Sequence, residues 1–235
     1  MSTQLEAPWV PLRKTAILVD GGFYRHRARS LFGKKDGQSR ADELIAYCLK
    51  HISHSGQYER RDLYRIYFYD SFPVESKLIF HPFLNKTIDL KNSQTTTWAK
   101  DFFTALTTKR KLALRRGELD VSHAHYSLDP KVLKQLCRGE KSWNDLCERD
   151  FKVAGIKQKG VDMRIGLDVA NLADGPKVDQ IILIAGDSDL VPALKLARKA
   201  GIDVILDPML LGIRDSLKEH VDGIQSVVSS FIPKT

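Results

Sequence analysis

The chain has 235 residues, 43% hydrophobic and 28% charged, which is typical of a folded globular protein and excludes a disordered one. A formal net charge of +8 and a pI of about 9.3 favour a polyanionic partner without requiring one. No apolar run approaches the roughly 18 residues of a membrane span, and the N-terminus lacks a signal-peptide pattern. We therefore expect no membrane partner, and the three scattered cysteines favour a cytoplasmic location.

The N-terminal part of the chain predicts a short strand that ends on an acid. Residues 1–14 contain two prolines and are predicted to form a flexible leader. The apolar run at 15–20 follows as a strand, which ends on Asp20. Two glycines come next, at positions 21 and 22, and they could allow the backbone to approach a phosphate closely or form a tight turn.

The next part of the chain predicts a helix and a second strand. Ser39 and Asp42 have the spacing of a capping box, and apolar residues up to Ile52 recur at helical spacing. Residues 62–70 are rich in tyrosine, isoleucine and phenylalanine, as a strand would be. The prolines and polar residues of 71–94 predict a loop.

The middle of the chain is harder to interpret. Residues 95–116 predict a helix with Trp98 and Phe102 on its apolar face, and its end would carry a basic run. A strand is predicted at 118–126, short helices follow, and 151–158 is a third candidate core strand.

The C-terminal part centres on the sequence IILIAGDSDL at 181–190. It predicts a buried strand, an acidic turn with Asp187 and Asp189, and then an amphipathic helix. Around it the sequence predicts a helix at 162–173, a strand at 201–206, a helix near 211–221 and a short strand at 227–232.

Short apolar strands that alternate with helices predict an α/β fold, a three-layer α/β/α sandwich around a mainly parallel sheet. Such sheets bind ligands beyond the carboxyl ends of their strands, where the strand order reverses. Asp20, Asp187 and Asp189 each follow a predicted strand, so they would meet in one cleft if those strands are neighbours. For any one of them, a turn or a helix cap is the plainer interpretation.

Carboxylates that share a cleft repel one another, and a hard divalent cation removes that repulsion. Mg²⁺ or Mn²⁺ prefers oxygen ligands, and no histidine lies beside these acids to indicate zinc. Asp162, at the start of a predicted helix, would be either a fourth member or an N-cap. Asp207 follows another strand and is either a fifth member or a turn residue.

Basic residues beside these acids are candidates for contacts with phosphate groups. The run at the end of the 95–116 helix could equally be a solvated helix terminus. Trp98 and Phe102 could stack on bases, although helical spacing favours a core position. The candidate RNA-binding residues are Lys109, Arg110, Lys111, Arg115, Arg116, Lys157 and Lys159.

Several stretches together resemble the NYN-domain family, in particular its LabA-like bacterial branch within the PIN-like nuclease superfamily. They are VDGGFY at 19–24, KQKGVDMRIGLDVANLA at 157–173, the stretch at 179–206 and SLKEHVDGI at 216–224. The resemblance implies a PIN-like fold and metal-dependent cleavage of RNA. It assigns the metal-binding acids to Asp20, Asp162, Asp187 and Asp189.

The sequence therefore predicts a single domain at 15–225, with an embellishment at about 118–150 and a C-terminal extension at 226–235. Its expected function is a Mg²⁺- or Mn²⁺-dependent endoribonuclease acting on RNA, most simply single-stranded. The alternative is a regulatory module that binds RNA or protein with little turnover. The oligomeric state is left open, with a homodimer as one option.

Overall fold

The structure, a computed structural model, describes residues 11–53 and 59–231. Short apolar runs form most of its strands. In chain order these are β1 (Leu12–Asp20), β2 (Arg60–Ser71), β3 (Leu78–His81), β4 (Lys86–Asp89), β5 (Leu112–Asp120), β6 (His125–Leu128), β7 (Phe151–Ala154), β8 (Lys157–Lys159), β9 (Gln180–Ile184), β10 (Asp203–Asp207) and β11 (Gly223–Ile224).

The helices fall between these strands. They are α1 (Gly21–Phe32), α2 (Gly37–Ser53), α3 (Gln94–Thr107), α4 (Pro130–Cys137), α5 (Val161–Ala173), α6 (Val191–Lys199), α7 (Asp215–Lys218) and α8 (Val228–Phe231). Among the described residues, no helix is both long enough and apolar enough to cross a membrane.

One seven-stranded sheet dominates the fold, in the spatial order β11-β10-β9-β1-β2-β5-β8. Only the edge strand β8 is antiparallel to its neighbour. The chain builds outward from β1 through β2 to β5, then returns to the other side of β1 and builds outward again from β9. The strand order thus reverses between β1 and β9, whose ends are aligned by the pairing of Val19 with Ile184.

Alternating side chains of the sheet face two separate cores, because successive residues of a strand point to opposite faces. Ile17 and Val19 face the core beneath α1, α2, α3 and α8. Ala16 and Leu18 face the core beneath α5, α6 and α7. The prediction of a three-layer α/β/α sandwich with a mainly parallel sheet is therefore confirmed.

A small satellite cluster extends this sandwich. The hairpin β3–β4 and the antiparallel strand pair β6–β7 pack together around Val74, Ile79 and Leu90. The prediction of a loop over 71–94 was wrong, because the prolines of this stretch lie outside two short strands, where they interrupt no ladder.

Three other predicted elements were wrong. The helix predicted over 95–116 ends at Thr107, and its basic run continues through a turn into β5. The candidate core strand at 151–158 is divided between the satellite strand β7 and the edge strand β8. The strand predicted at 227–232 is the short helix α8, whose Val228 packs into the core.

The N-terminal leader was predicted to reach residue 14, but β1 already begins at Leu12 and pairs there with Arg60. Residues 1–10 lie outside the described part of the chain. The early start is explained by β2, which is also longer than predicted and offers a pairing partner to residues 12–14.

Helix α2 begins earlier than its predicted capping box. Asp36, and not Ser39, is the capping residue, because its carboxylate accepts hydrogen bonds from the Ser39 amide and hydroxyl, both at 2.7 Å. We expect Asp36→Ala to lower the midpoint of a urea titration, because the first turn of α2 loses its capping acceptor. Asp42→Ala removes only surface contacts to Lys109 and Gln38, and should lower the midpoint much less. Equal losses would contradict this assignment of the cap.

Candidate metal centre

Asp20 is the last residue of β1 and also the N-cap of α1. Its Oδ1 atom accepts a hydrogen bond of 3.1 Å from the Phe23 amide. The two glycines that follow form the first turn of α1 and make neither a tight turn nor a separate phosphate loop. The strand therefore passes directly into the helix, and this places the Asp20 carboxylate at the edge of the sheet.

Gly21 is required at this junction. A Cβ atom there would lie 2.6 Å from the Phe68 ring, 2.7 Å from the Asp70 Cβ and 2.7 Å from the Tyr69 carbonyl oxygen. Real Cβ contacts are essentially never this short, so the first turn of α1 can lie against the end of β2 only because residue 21 has no side chain.

Asp187 and Asp189 follow β9, the strand beside β1. Asp187 Oδ1 accepts a hydrogen bond of 3.0 Å from the Asp189 amide and so caps the short 3₁₀ turn Ser188–Leu190. Helix α6, which begins just after this turn, has no side-chain cap. Both side chains are exposed. The Phe23 ring packs over Gly186 and so fixes α1 against this turn.

Asp162 is the second residue of α5 and is exposed. The helix begins after Gly160, which has a φ of 75°, and no side chain provides its cap. Asp162 is therefore not the N-cap that the plainer interpretation required. Its pKa is raised, first by partial loss of hydration and then by repulsion from Asp187 and Asp189.

Electrostatic repulsion links Asp20 to Asp162, and Asp162 in turn to Asp187 and Asp189, so we treat these four acids as one cluster. The pKa of Asp20 is raised to about 6, chiefly by burial, and the charges of Asp162 and Asp70 add to this effect. Within residues 11–53 and 59–231, no lysine or arginine is ion-paired with any of the four. Asp20 and Asp187 follow adjacent strands of the sheet, and Asp162 lies at the start of α5. Arg214 lies at the turn that carries Asp187 and Asp189, where it donates a hydrogen bond of 3.3 Å to the Ser188 hydroxyl.

The chemistry of this cluster fits a hard divalent cation. All its donors are carboxylate oxygens, which Mg²⁺ and Mn²⁺ prefer, and Mg²⁺ needs only one or two carboxylates because it keeps several waters. In the described part of the chain, no three His, Cys, Asp or Glu side chains already converge at ligand distance. The exposed side chains of Asp162 and Asp189 can turn inward, whereas Asp20 and Asp187 are each held by a capping hydrogen bond.

Comparison with known families decides the identity of this fold. A family model described as the NYN domain matches residues 87–221, more than half of the chain. The chain belongs to the NYN-domain family. NYN domains are PIN-like and generally ribonucleases, so the family implies a nuclease that acts on RNA. No curated protein matches the chain significantly.

The matched segment of this NYN domain includes Asp162, Asp187 and Asp189, but it begins after Asp20. Asp20 is attached to the cluster by the fold, since β1 lies beside β9 in the sheet. Sequence comparison and sheet geometry therefore contribute different members of the same cluster.

The NYN domain has one further acid at this edge that sequence analysis missed. Asp70, at the end of β2, is buried and ion-paired with Arg25 at 2.7 Å. It also accepts a hydrogen bond of 2.8 Å from the Gln158 amide, and its charge raises the pKa of Asp20. The signal was available, because residues 62–70 end on an acid just as 15–20 do.

Two other acids of the NYN domain lie outside the cluster. Asp168 forms an ion pair with Arg115, with Nε to Oδ2 at 2.6 Å, and accepts a hydrogen bond of 2.9 Å from the Tyr69 hydroxyl. Asp207 is fully buried and bonded to Tyr47 and His51 of α2. It joins α2 to β10 and is not a fifth member.

The candidate RNA-binding residues are spread along the sheet. Lys109, Arg110 and Lys111 precede β5 and lie toward the amino-terminal ends of the strands, away from the acids. Arg115 lies level with Asp20, since both pair with Tyr69. Lys157 and Lys159 flank Gln158 on β8, and Lys159 is ion-paired with Asp120 at 2.6 Å. Arg116 stacks on the Phe72 ring.

Proposed function

We propose that this NYN domain is a metal-dependent endoribonuclease whose site consists of Asp20, Asp162, Asp187 and Asp189. The observation that carries the proposal is that Asp20 and Asp187 follow two adjacent strands where the strand order reverses, with Asp162 and Asp189 beside them and no lysine or arginine of the described residues ion-paired with any of the four. Such a cluster is costly for the isolated protein, and a bound cation would relieve its repulsion.

The four carboxylates would hold Mg²⁺ or Mn²⁺, which would activate a water and neutralise charge on the scissile phosphate. The protein's own contribution is positioning. Asp20 is oriented by the Phe23 amide, and Asp187 by the Asp189 amide. The buried Asp70–Arg25 pair supports the end of β2 beside Asp20.

Contacts with the RNA backbone would come from basic residues near this edge. Among the seven predicted residues, position favours Arg115, Arg116, Lys157 and Lys159 over the three that precede β5. Arg115 is largely engaged by Asp168, so we expect it to position neighbouring side chains more than to bind phosphate.

The direct test is to incubate the purified chain with a short single-stranded RNA and Mn²⁺, with and without a chelator. We expect internal cleavage that stops on chelation and resumes when Mn²⁺ is added back. Asp187→Asn should abolish it, whereas Asp174→Asn, an exposed acid at the far end of α5, should leave it unchanged. Cleavage that persists in chelator, or in Asp187→Asn, would refute the mechanism.

The alternative function is a binding module with little turnover. It would be favoured by tight, salt-sensitive RNA binding without cleavage under any metal condition.

Three finer predictions from the sequence are proposed here too. We propose that the chain belongs to the LabA-like branch of the family, which the KGVD and GDSD sequences at 159–162 and 186–189 resemble. We also propose a cytoplasmic location, with a homodimer as one possible oligomeric state. Cys48 is buried, and Cys137 and Cys147 are exposed, and all three are free thiols.

A further inference from the structure

A cavity of about 560 Å³ adjoins the acidic cluster on the α1 side of the sheet. Its floor is one face of α1, where Gly22, Arg25 and Arg29 recur at helical spacing. The segment after α1 and the start of α3 form its other walls. Its volume lies within the range of small-molecule sites.

The cavity begins at the candidate metal centre. A Cβ atom at Gly22 would lie 3.4 Å from Asp20 Oδ1, so the cavity wall touches the side chain that ends β1. Arg25 also lines the cavity while it pairs with Asp70. From Gly22 to Arg29 the cavity extends about 10 Å along α1, at 1.5 Å per residue.

The lining of this cavity is strongly basic. Its charged residues within the described chain are all cations, namely Arg25, Arg29, Lys34, Lys35 and Arg40. Arg25 is neutralised by Asp70, and Lys35 and Arg40 share Glu43. Arg29 and Lys34 are exposed, and no acid of the described residues pairs with either. The cavity therefore offers unbalanced positive charge beside a cluster of unbalanced negative charge.

Trp98 provides a rigid aromatic wall. Its Nε1 atom donates a hydrogen bond of 2.8 Å to the Lys35 carbonyl oxygen. Its ring stacks on Phe102 with a centroid separation of 5.1 Å and an angle of 11°. The half-buried ring is thus held by one face and one edge, and it also lines the cavity. A fixed indole next to free cations is a combination that binds a base together with its phosphates.

We infer that this cavity binds an unpaired nucleotide of the RNA next to the bond to be cut, with its phosphates on Arg29 and Lys34 and its base against Trp98. The inference rests on the proposed function, which identifies the bound nucleic acid as RNA. A base that lies against Trp98 inside this cavity would have to leave a duplex, so we expect the site to select single-stranded RNA.

The first test measures binding in chelator, where no cleavage occurs, by fluorescence polarisation of a labelled single-stranded oligoribonucleotide. The double variant Arg29→Glu with Lys34→Glu should bind about tenfold more weakly or worse, with a shallower salt dependence. Lys195→Glu with Lys199→Glu on α6 is the matched control, since it changes net charge equally, and it should bind almost normally. Equal losses in both, or no loss in the first, would overturn the proposal.

The second test uses tryptophan fluorescence to detect stacking. Binding of the single-stranded oligoribonucleotide should quench the tryptophan fluorescence of the native chain and of Trp143→Phe. Trp98→Phe should lose that quenching. Trp98→Phe retains an aromatic ring for the core, and circular dichroism checks its fold. Unchanged quenching in Trp98→Phe would overturn the base contact. A blunt duplex or an acidic peptide that displaces the strand as well as single-stranded RNA does would overturn the assigned ligand.

These tests are separate from the test of cleavage. Asp187→Asn should bind the oligoribonucleotide and quench Trp98 while it fails to cut. If the native chain does not cleave but the cavity variants weaken binding, the cavity assignment stands and the nuclease proposal fails. If the chain cleaves but the cavity variants bind normally, only the cavity assignment fails.

Discussion

Asp20→Asn should abolish cleavage of RNA and at the same time stabilise the metal-free protein. The loss of rate should be at least about a hundredfold, because one ligand of a group that supplies several kcal/mol of transition-state stabilisation is removed. The cap on Phe23 should survive, since asparagine is as good an N-cap as aspartate.

The gain in stability depends on pH in a defined direction. The folded-state pKa of Asp20 is about 6, against an ordinary value of 3.8, so the folded native chain binds this proton more tightly than the unfolded one. Its stability therefore falls as pH rises from about 4 to about 6, by about 1 to 3 kcal/mol. The Asp20→Asn variant lacks this loss of stability. The two chains should therefore have nearly equal free energies of unfolding at pH 4, and the full difference should be present at pH 7.

Thermal unfolding in chelator at both pH values measures this difference. Mn²⁺ should then raise the melting temperature of the native chain and not that of Asp20→Asn, because only the native cluster binds the ion tightly. A variant that is destabilised at pH 7, or that keeps both its cleavage and its response to Mn²⁺, would contradict the role given to Asp20. Asp174→Asn, far from the cluster, should follow the native chain throughout.

Gly21→Ala should be among the most destabilising single substitutions in the chain. The added methyl group would overlap the Phe68 ring, the Asp70 Cβ and the Tyr69 carbonyl oxygen, and a backbone oxygen cannot rotate away. Either α1 moves off β2 or the end of β2 shifts. We expect a loss of about 3 kcal/mol or more in the free energy of unfolding, by overpacking at a buried junction.

Gly166→Ala in α5 is the control for this substitution. A Cβ atom at position 166 meets nothing within 4 Å, so the change should stabilise the helix by up to about 1 kcal/mol through propensity alone. Urea denaturation of both variants makes the comparison. Similar effects of the two alanines would mean that the close approach at Gly21 does not constrain the fold.

The sequence predicted the central strands well, and it placed Asp20 and Asp187 at strand ends, because both depend on local signals. Residues 15–20 and 181–184 are continuous apolar runs that end abruptly, as buried parallel strands do. The end of such a strand can be seen in the sequence, because the apolar run stops there. Asp20 and Asp187 could therefore be assigned to strand ends from the sequence alone. Asp70 lies at a similar strand end, and only the structure showed that it belongs beside them.

Elements were missed where tertiary contacts overrode local pattern. Strand β5 is hidden by Arg115 and Arg116, whose charges indicate a surface helix end. In the fold Arg115 is paired with Asp168 and lies over the Tyr67 ring, so a charged residue can occupy a strand beside the core. The basic cavity was missed because no helix was predicted after Asp20, so Arg25 and Arg29 could not be placed on one face of α1.

The position of β1 has a practical consequence for shortened versions of this protein. The segment 87–221 looks like a self-contained unit when the family match alone is considered. Without residues 12–71, however, β5 and β9 would have no strands between them, and the sheet would divide into two pieces that share no hydrogen bond. Any fragment intended for expression or fusion should therefore start before Leu12, so that β1 and β2 are kept.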